Sequence, residues 1–163
     1  MPKGKGKEFE KAVRESFEKI YGVSIDRIPD QTMKHKGATN ICDFIVYKFP
    51  YQFYVECKSV HGNTLPFTNI KDNQWDGLTK KSQIKGVYAG VLCWWVDKDV
   101  TKFIPIQLLN KIRDEGHKSI RYDAKLYDPR TAIGEIVISG NKKRVYYDYD
   151  FIEFFSCFNH IKL

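Results

Sequence analysis

The sequence contains no apolar run approaching the roughly 20 residues that a membrane-spanning helix requires. Its opening stretch, from Met1 to Lys11, is polar and basic, with no apolar core of a secretion signal. These absences lead to the expectation of a cytoplasmic protein with no membrane partner. Cysteine is scarce: Cys42, Cys57, Cys93 and Cys157 stand at no metal-finger spacing, and Cys42 and Cys57 lie in apolar, strand-like runs. A zinc site is therefore not expected, and buried reduced thiols are. There is no Walker A loop, no dinucleotide fingerprint and no Gly-x-Ser-x-Gly, so no organic cofactor is implied. His35, His61, His117 and His160 show no ligand spacing. No repeat, low-complexity tract or linker divides the 163 residues, a length that suits one domain.

Aromatics and positive charge are abundant. The chain has 11 Phe, 10 Tyr and 3 Trp, which is ample apolar area for a core. There are 27 Lys and Arg against 20 Asp and Glu, a net charge of +7. Such an excess points to an anionic partner, with nucleic acid first. Lys3, Lys5, Lys7, Lys34, Lys36, Lys80, Lys81, Lys85, Lys142, Lys143 and Arg144 all contribute. Lys5, Lys7, Lys34, Lys36, Lys80 and Lys81 are the candidate DNA contacts, since charges near element ends reach phosphates.

Periodicity predicts an α+β chain, with a central mixed sheet flanked by helices. Phe9, Val13, Phe17 and Ile20 form one helical stripe over 7–21, ended by Gly22. Glu10 borders that stripe, whereas Glu8, Ala12, Glu15 and Lys19 read as the solvated face. Strands are expected at 23–28, 42–48 and 51–59, the last two joined tightly through Phe49 and Pro50 as an antiparallel hairpin. Residues 61–68 read as a loop, and Thr68 or Asn69 as the cap of a helix to Ser82. A central strand follows at 86–96 and another at 101–104. Pro105 then opens a helix that Gly116 closes. The stretch from Lys118 to Gly134 has no clear pattern. Residues 135–138 and 144–147 suggest a hairpin, and the last helix runs from about Asp148 to Phe158. A polar stretch at about 27–40, bounded by Pro29 and Gly37, reads as a short projecting stalk or loop.

The chemistry concentrates in Asp43, followed after twelve residues by Glu56, Cys57 and Lys58. Alternation puts Glu56 and Lys58 on one face with Gln52 and Tyr54, opposite Phe53, Val55 and Cys57. Charges inside so apolar a strand are costly unless paired or metal-bound. If the hairpin pairs Asp43's strand with this one, two carboxylates and an ammonium converge. Phosphodiester hydrolysis needs that set: carboxylate oxygens for a hard cation such as Mg²⁺, which activates water, and a lysine for developing charge. A structural Glu–Lys pair on a solvated sheet is the plain alternative. Glu10 is either an outer metal ligand or a helix-dipole glutamate. Gln74, on one face with Ile70 and Leu78, is either a site amide or a satisfied core amide.

Asp43 with Glu56-Cys57-Lys58 resembles the PD-(D/E)xK nuclease signature, which implies an α/β restriction-endonuclease-like arrangement of the α+β chain. Gly6-x-x-x-Glu10 resembles the first helix of Holliday junction resolvases of the RecU and archaeal Hjc types. Leu65-Pro66-Phe67-Thr68-Asn69, then Gln74, then the apolar strand, is similar to RecU in order and spacing. So is the helix near Leu108 followed by Gly116-His117-Lys118-Ser119-Ile120-Arg121. The resemblance spans residues 4 to about 152. It implies a homodimeric resolvase dependent on Mg²⁺, with Mn²⁺ as a substitute, that cuts four-way DNA junctions symmetrically. It further implies Asp43 and Glu56 as metal ligands, the Cys57 carbonyl as a third, and Lys58 on the water or scissile phosphate. Glu10 and Gln74 would act in support. The segment from about Pro29 to Asn40 is shorter than the RecU stalk, which implies a short phage-borne relative and leaves junction selectivity open. Nucleases for other branched or damaged DNA, and a non-catalytic recombination accessory protein, are the alternatives.

Overall fold

The computed structural model describes residues 4–29, 40–131, 133–143 and 147–158. Its first helix, α1 (Lys5–Glu18), buries Phe9, Val13 and Phe17 along one stripe, as the periodicity predicts. Ala12, expected on the outward face, is buried as well. Ser16 explains the wider stripe: its Oγ donates to the Ala12 carbonyl at 2.7 Å and accepts from the Tyr149 N–H at 2.9 Å. Gly22, at φ +76°, turns the chain into β1 (Val23–Arg27). Then β2 (Phe44–Lys48) and β3 (Tyr51–Val60) form the expected antiparallel hairpin, with Phe44 opposite Val55 and Lys48 opposite Tyr51.

The next elements are β4 (Thr64–Pro66), α2 (Asp72–Ser82), β5 (Val87–Trp95), β6 (Val100–Pro105) and α3 (Ile106–Asp114). They are followed by β7 (Ser119–Arg121), β8 (Tyr127–Asp128), β9 (Ile133–Gly134), β10 (Ile136–Val137), β11 (Gly140–Lys142), β12 (Tyr147–Tyr149) and α4 (Phe151–Ser156). The main sheet has the order β1-β2-β3-β5-β6-β10. Among the described residues of this sheet only β3 and β5 run parallel, with α2 as their crossover; the other neighbours are antiparallel. The architecture is thus α+β, a mixed sheet with helices on both faces, as expected.

Both faces of β3 are covered. Phe53, Val55 and Cys57 face α1 and α4, whose aromatic rings interlock, with Phe17 stacked on Phe151 at a centroid distance of 3.8 Å. Tyr54 and Val60 face the side packed by Trp75, Leu78, Leu108 and Leu109 from α2 and α3. Burying each such side chain stabilises the fold by roughly 1.5–3 kcal/mol. Glu56 and Lys58 therefore sit within a covered face rather than on a solvated one.

Several expected elements differ. Residues 61–68 are not simply a loop, because β4 pairs with β7, so the stretch after Lys118 is tied back across the sheet end. Strands this short carry too few residues to show alternation. Thr68 and Asn69 belong to a single 3₁₀ turn, and α2 begins at Asp72. The late hairpin is displaced: β10 pairs with β6, and Gly140 and Asn141, which the sequence places in the hairpin's turn with Ser139, belong to a strand, β11, that pairs with β12. The final helix starts at Phe151, capped by Asp150 Oδ1 accepting the Ile152 N–H at 3.0 Å. Most of the stalk, with Lys34 and Lys36, lies outside the described residues, as do Lys3, Arg144, His35 and His160. Among the described residues no helix is long and apolar enough to cross a membrane.

Candidate active site

Asp43 stands one residue before β2, and its backbone is fixed on both sides. Its N–H donates to the Val55 carbonyl at 3.1 Å, and its carbonyl accepts from the Ile28 N–H at 2.8 Å. The chain leading to it is pinned to α2, where Asn73 Nδ2 donates to the Asn40 carbonyl at 2.8 Å. Ile41 packs where a side chain at Gly77 would stand, so only glycine allows this approach. Regular pairing of β2 with β3 ends at Val55. The Asp43 carboxylate takes over the next backbone donor on that edge, the Cys57 N–H, at 2.8 Å.

Glu56 projects from the other face of β3 and is 3% exposed. Its Oε1 accepts from Lys58 Nζ at 2.7 Å and from Gln74 Nε2 at 2.7 Å. Gln74, from the first turn of α2, accepts the Lys71 N–H at 3.1 Å and Lys58 Nζ at 3.4 Å through its own oxygen. Two carboxylates thus face one ammonium, which leaves uncompensated negative charge. Burial, then the Glu56 charge, pushes Asp43 up to about 6, against the Cys57 N–H and the Lys58 charge. Burial likewise raises Glu56, opposed by Lys58 and Gln74 and assisted by Glu10. The other Glu56 oxygen, Oε2, is buried and has no hydrogen-bond partner.

Glu10 reaches this region from α1, but its Oε2 is paired with Arg27 Nη2 at 3.1 Å. Among the described residues no three His, Cys, Asp or Glu side chains converge into a metal-holding set.

No family model matches the sequence, and the search of curated proteins gives no match. Among solved structures, the chain is similar to a 1.6 Å structure of Hjc, a Holliday junction resolvase from the archaeal hyperthermophile Archaeoglobus fulgidus. The identity is 17% and the TM-score 0.48, over 63% of this chain and 78% of that one.

The site's own residues suit a hard divalent cation. Asp43 and Glu56 offer carboxylate oxygens, the donors such a cation prefers, and one of them, Glu56 Oε2, is buried without a hydrogen-bond partner. Of the candidate residues, the structure brings Asp43, Glu56, Lys58 and Gln74 together, with Glu10 at the margin. Lys80 and Lys81 are not part of this cluster. They occupy the last turn of α2, roughly 10 Å along the helix from Gln74, with Lys81 Nζ 5.0 Å above the Tyr54 ring. Lys7 lines a groove beside Glu10, and the charge of Lys5 acts on Asp97. Sequence reasoning missed Arg27, whose signal was only a polar residue ending a short strand. It also missed His61, paired with Asp97 across 36 positions at 2.9 Å, a contact no spacing rule reveals. Cys42, Cys57 and Cys93 are buried free thiols as expected, with burial raising all three, whereas Cys157 is exposed.

Proposed function

We propose that this protein is a metal-dependent endodeoxyribonuclease that cuts branched DNA, with the four-way junction as its preferred substrate. The observation that carries the reading is the Asp43, Glu56 and Lys58 cluster, in which Glu56 keeps a buried oxygen unpartnered. A structural ion pair would satisfy its oxygens, since an orphaned buried acceptor costs about 1–3 kcal/mol. Asp43 and Glu56 would hold Mg²⁺, or Mn²⁺ in its place, with the Cys57 carbonyl. That carbonyl shares with the Cys57 N–H the edge of β3 facing Asp43. The cation, when bound, lowers the pKa of water and neutralises charge on the phosphate.

The chain's own residues then do three things. The Cys57 N–H and the clamped backbone keep Asp43 oriented toward Glu56. Gln74 fixes the Glu56 rotamer and leaves its second oxygen free for a ligand. Lys58 keeps an ammonium beside the carboxylates, where it can donate to a phosphate oxygen or an attacking water. A two-fold dimer is the simplest way to cut two strands of a two-fold junction, and homodimerisation is part of the proposal. The stalk at about 27–40, which leads directly into Asp43, would carry junction selectivity. Incubation of labelled four-way junction, flap and linear duplex, each with and without Mg²⁺, tests the reading. Mg²⁺-dependent, paired scission of the junction is expected. Binding without scission of any substrate would leave an accessory protein, and equal cutting of all three would remove junction preference.

A further inference from the structure

A groove of about 320 Å³ runs between α1 and β1, lined by Lys7, Glu10, Lys11, Arg14, Arg27 and Phe44. Lys7, Lys11 and Arg14 recur at i, i+4 and i+7, so they share the helix flank away from the buried Phe9 and Val13. Four cationic side chains line it against one carboxylate, and that carboxylate, Glu10, is already engaged by Arg27 at 3.1 Å. Lys11 and Arg14 are 64% and 46% exposed. Their partners are Glu15 and Glu18 one turn on, at 3.8 and 3.4 Å. Exposed i,i+4 pairs of this kind contribute little to stability, so a phosphate can take over either cation with little loss.

The groove also adjoins the site. Phe44, in its wall, directly follows Asp43, and Arg27, also in its wall, pairs across β1 and β2 with Phe44. The Arg27 charge acts on Asp43 and the Glu10 charge on Glu56, so the groove lies beside the carboxylates. A DNA strand with one phosphate at the carboxylates places its neighbours beside α1.

We propose that the α1–β1 groove binds the DNA backbone next to the phosphate being cut, with Lys11 and Arg14 as phosphate contacts. This rests on the nuclease reading and adds to it a path for the strand. Neither cation reads bases, so the contacts position DNA without selecting sequence.

The test is equilibrium binding of labelled four-way junction and linear duplex across a salt series, in chelator so that no strand is cut. The wild-type chain is compared with Lys11→Ala/Arg14→Ala and with Lys118→Ala/Lys125→Ala, which removes equal charge from exposed positions off the groove. Losing two phosphate contacts should lower the slope of log affinity against log salt by about two, and affinity by about tenfold near physiological salt. The off-groove variant should keep the wild-type slope. A groove variant with wild-type slope and affinity, while the wild type binds DNA, overturns the groove and leaves the nuclease reading standing. Equal losses in both variants overturn it too, since any surface charge then serves. A wild-type chain that binds neither DNA sinks both readings together. Circular dichroism and melting of each variant separate lost contacts from lost fold.

Discussion

Replacing Asp43 with asparagine should abolish metal binding and at the same time stabilise the metal-free protein at alkaline pH. Burial and the Glu56 charge raise this carboxyl from the ordinary 3.8 to about 6. The folded chain therefore holds the proton more tightly than the unfolded chain does. Ionisation costs no stability below the ordinary value, costs progressively more as pH climbs through the window, and reaches its full cost above about 6. A rise of that size corresponds to at most ~3 kcal/mol. Asp43 is only half-buried, and solvent screening reduces this to about 1–2 kcal/mol. The asparagine amide would keep an oxygen for the Cys57 N–H and lose the charge. For a chain of this size each kcal/mol moves Tm by about 2–4 °C, so Asp43→Asn should melt about 4 °C higher than wild type near pH 8. Near pH 4, where the carboxyl is protonated when folded, the two should melt together. Adding Mn²⁺ should raise the wild-type Tm and leave the variant unmoved. The assay is thermal melting in chelator and in Mn²⁺ at both pH values. A variant melting several degrees below wild type at pH 8 would refute the electrostatic reasoning and make Asp43 a structural residue.

Lys58→Met leaves buried Glu56 without its cation, which should cost about 3–5 kcal/mol near pH 8 and less at low pH, where Glu56 protonates; melting at two pH values measures this. The same variant should lose at least about 100-fold in DNA cleavage, because the donor near the reacting phosphate is gone. Gln74→Ala removes the 2.7 Å donor to Glu56 and the acceptor of the Lys71 N–H, and urea unfolding should show a loss of about 1–3 kcal/mol. Gly90→Ala drives a methyl group into the Ile104 carbonyl across β5 and β6. Denaturant unfolding should show a loss of about 1–3 kcal/mol or more, with metal binding retained in whatever remains folded.

The long elements were legible in the sequence because each carries a complete period. The Phe9, Val13 and Phe17 stripe, the β2–β3 hairpin and the apolar β5 all form where alternation or helical spacing predicts. The strand β4 and the pairing of β10 were not legible, since the partners of β4 and β10 are supplied by distant segments, Ser119 to Arg121 and Lys102 to Phe103. The cluster of Asp43, Glu56 and Lys58 could be read because strand geometry fixes the relation among its members. Gln74 could be read as facing the sheet, but its contact with Glu56 depends on the crossover of α2, which no local pattern specifies. The Glu10–Arg27 pair, the Asn73 and Gly77 hold on the approach to Asp43, and the buried Lys102–Glu135 pair at 2.9 Å are tertiary contacts between segments with no shared periodicity.

The central claim is that Asp43 and Glu56 hold the cation that drives DNA scission. It is tested most directly by following cleavage of an end-labelled four-way junction against Mg²⁺ concentration, for the wild type and for Glu56→Gln side by side. The wild type should cut two opposed strands with saturable Mg²⁺ dependence and stop in chelator. Glu56→Gln should bind the junction with unchanged salt dependence yet cut at least about 100-fold more slowly at every Mg²⁺ concentration. Cutting by Glu56→Gln at the wild-type rate, or wild-type cutting that persists in chelator, would contradict the claim.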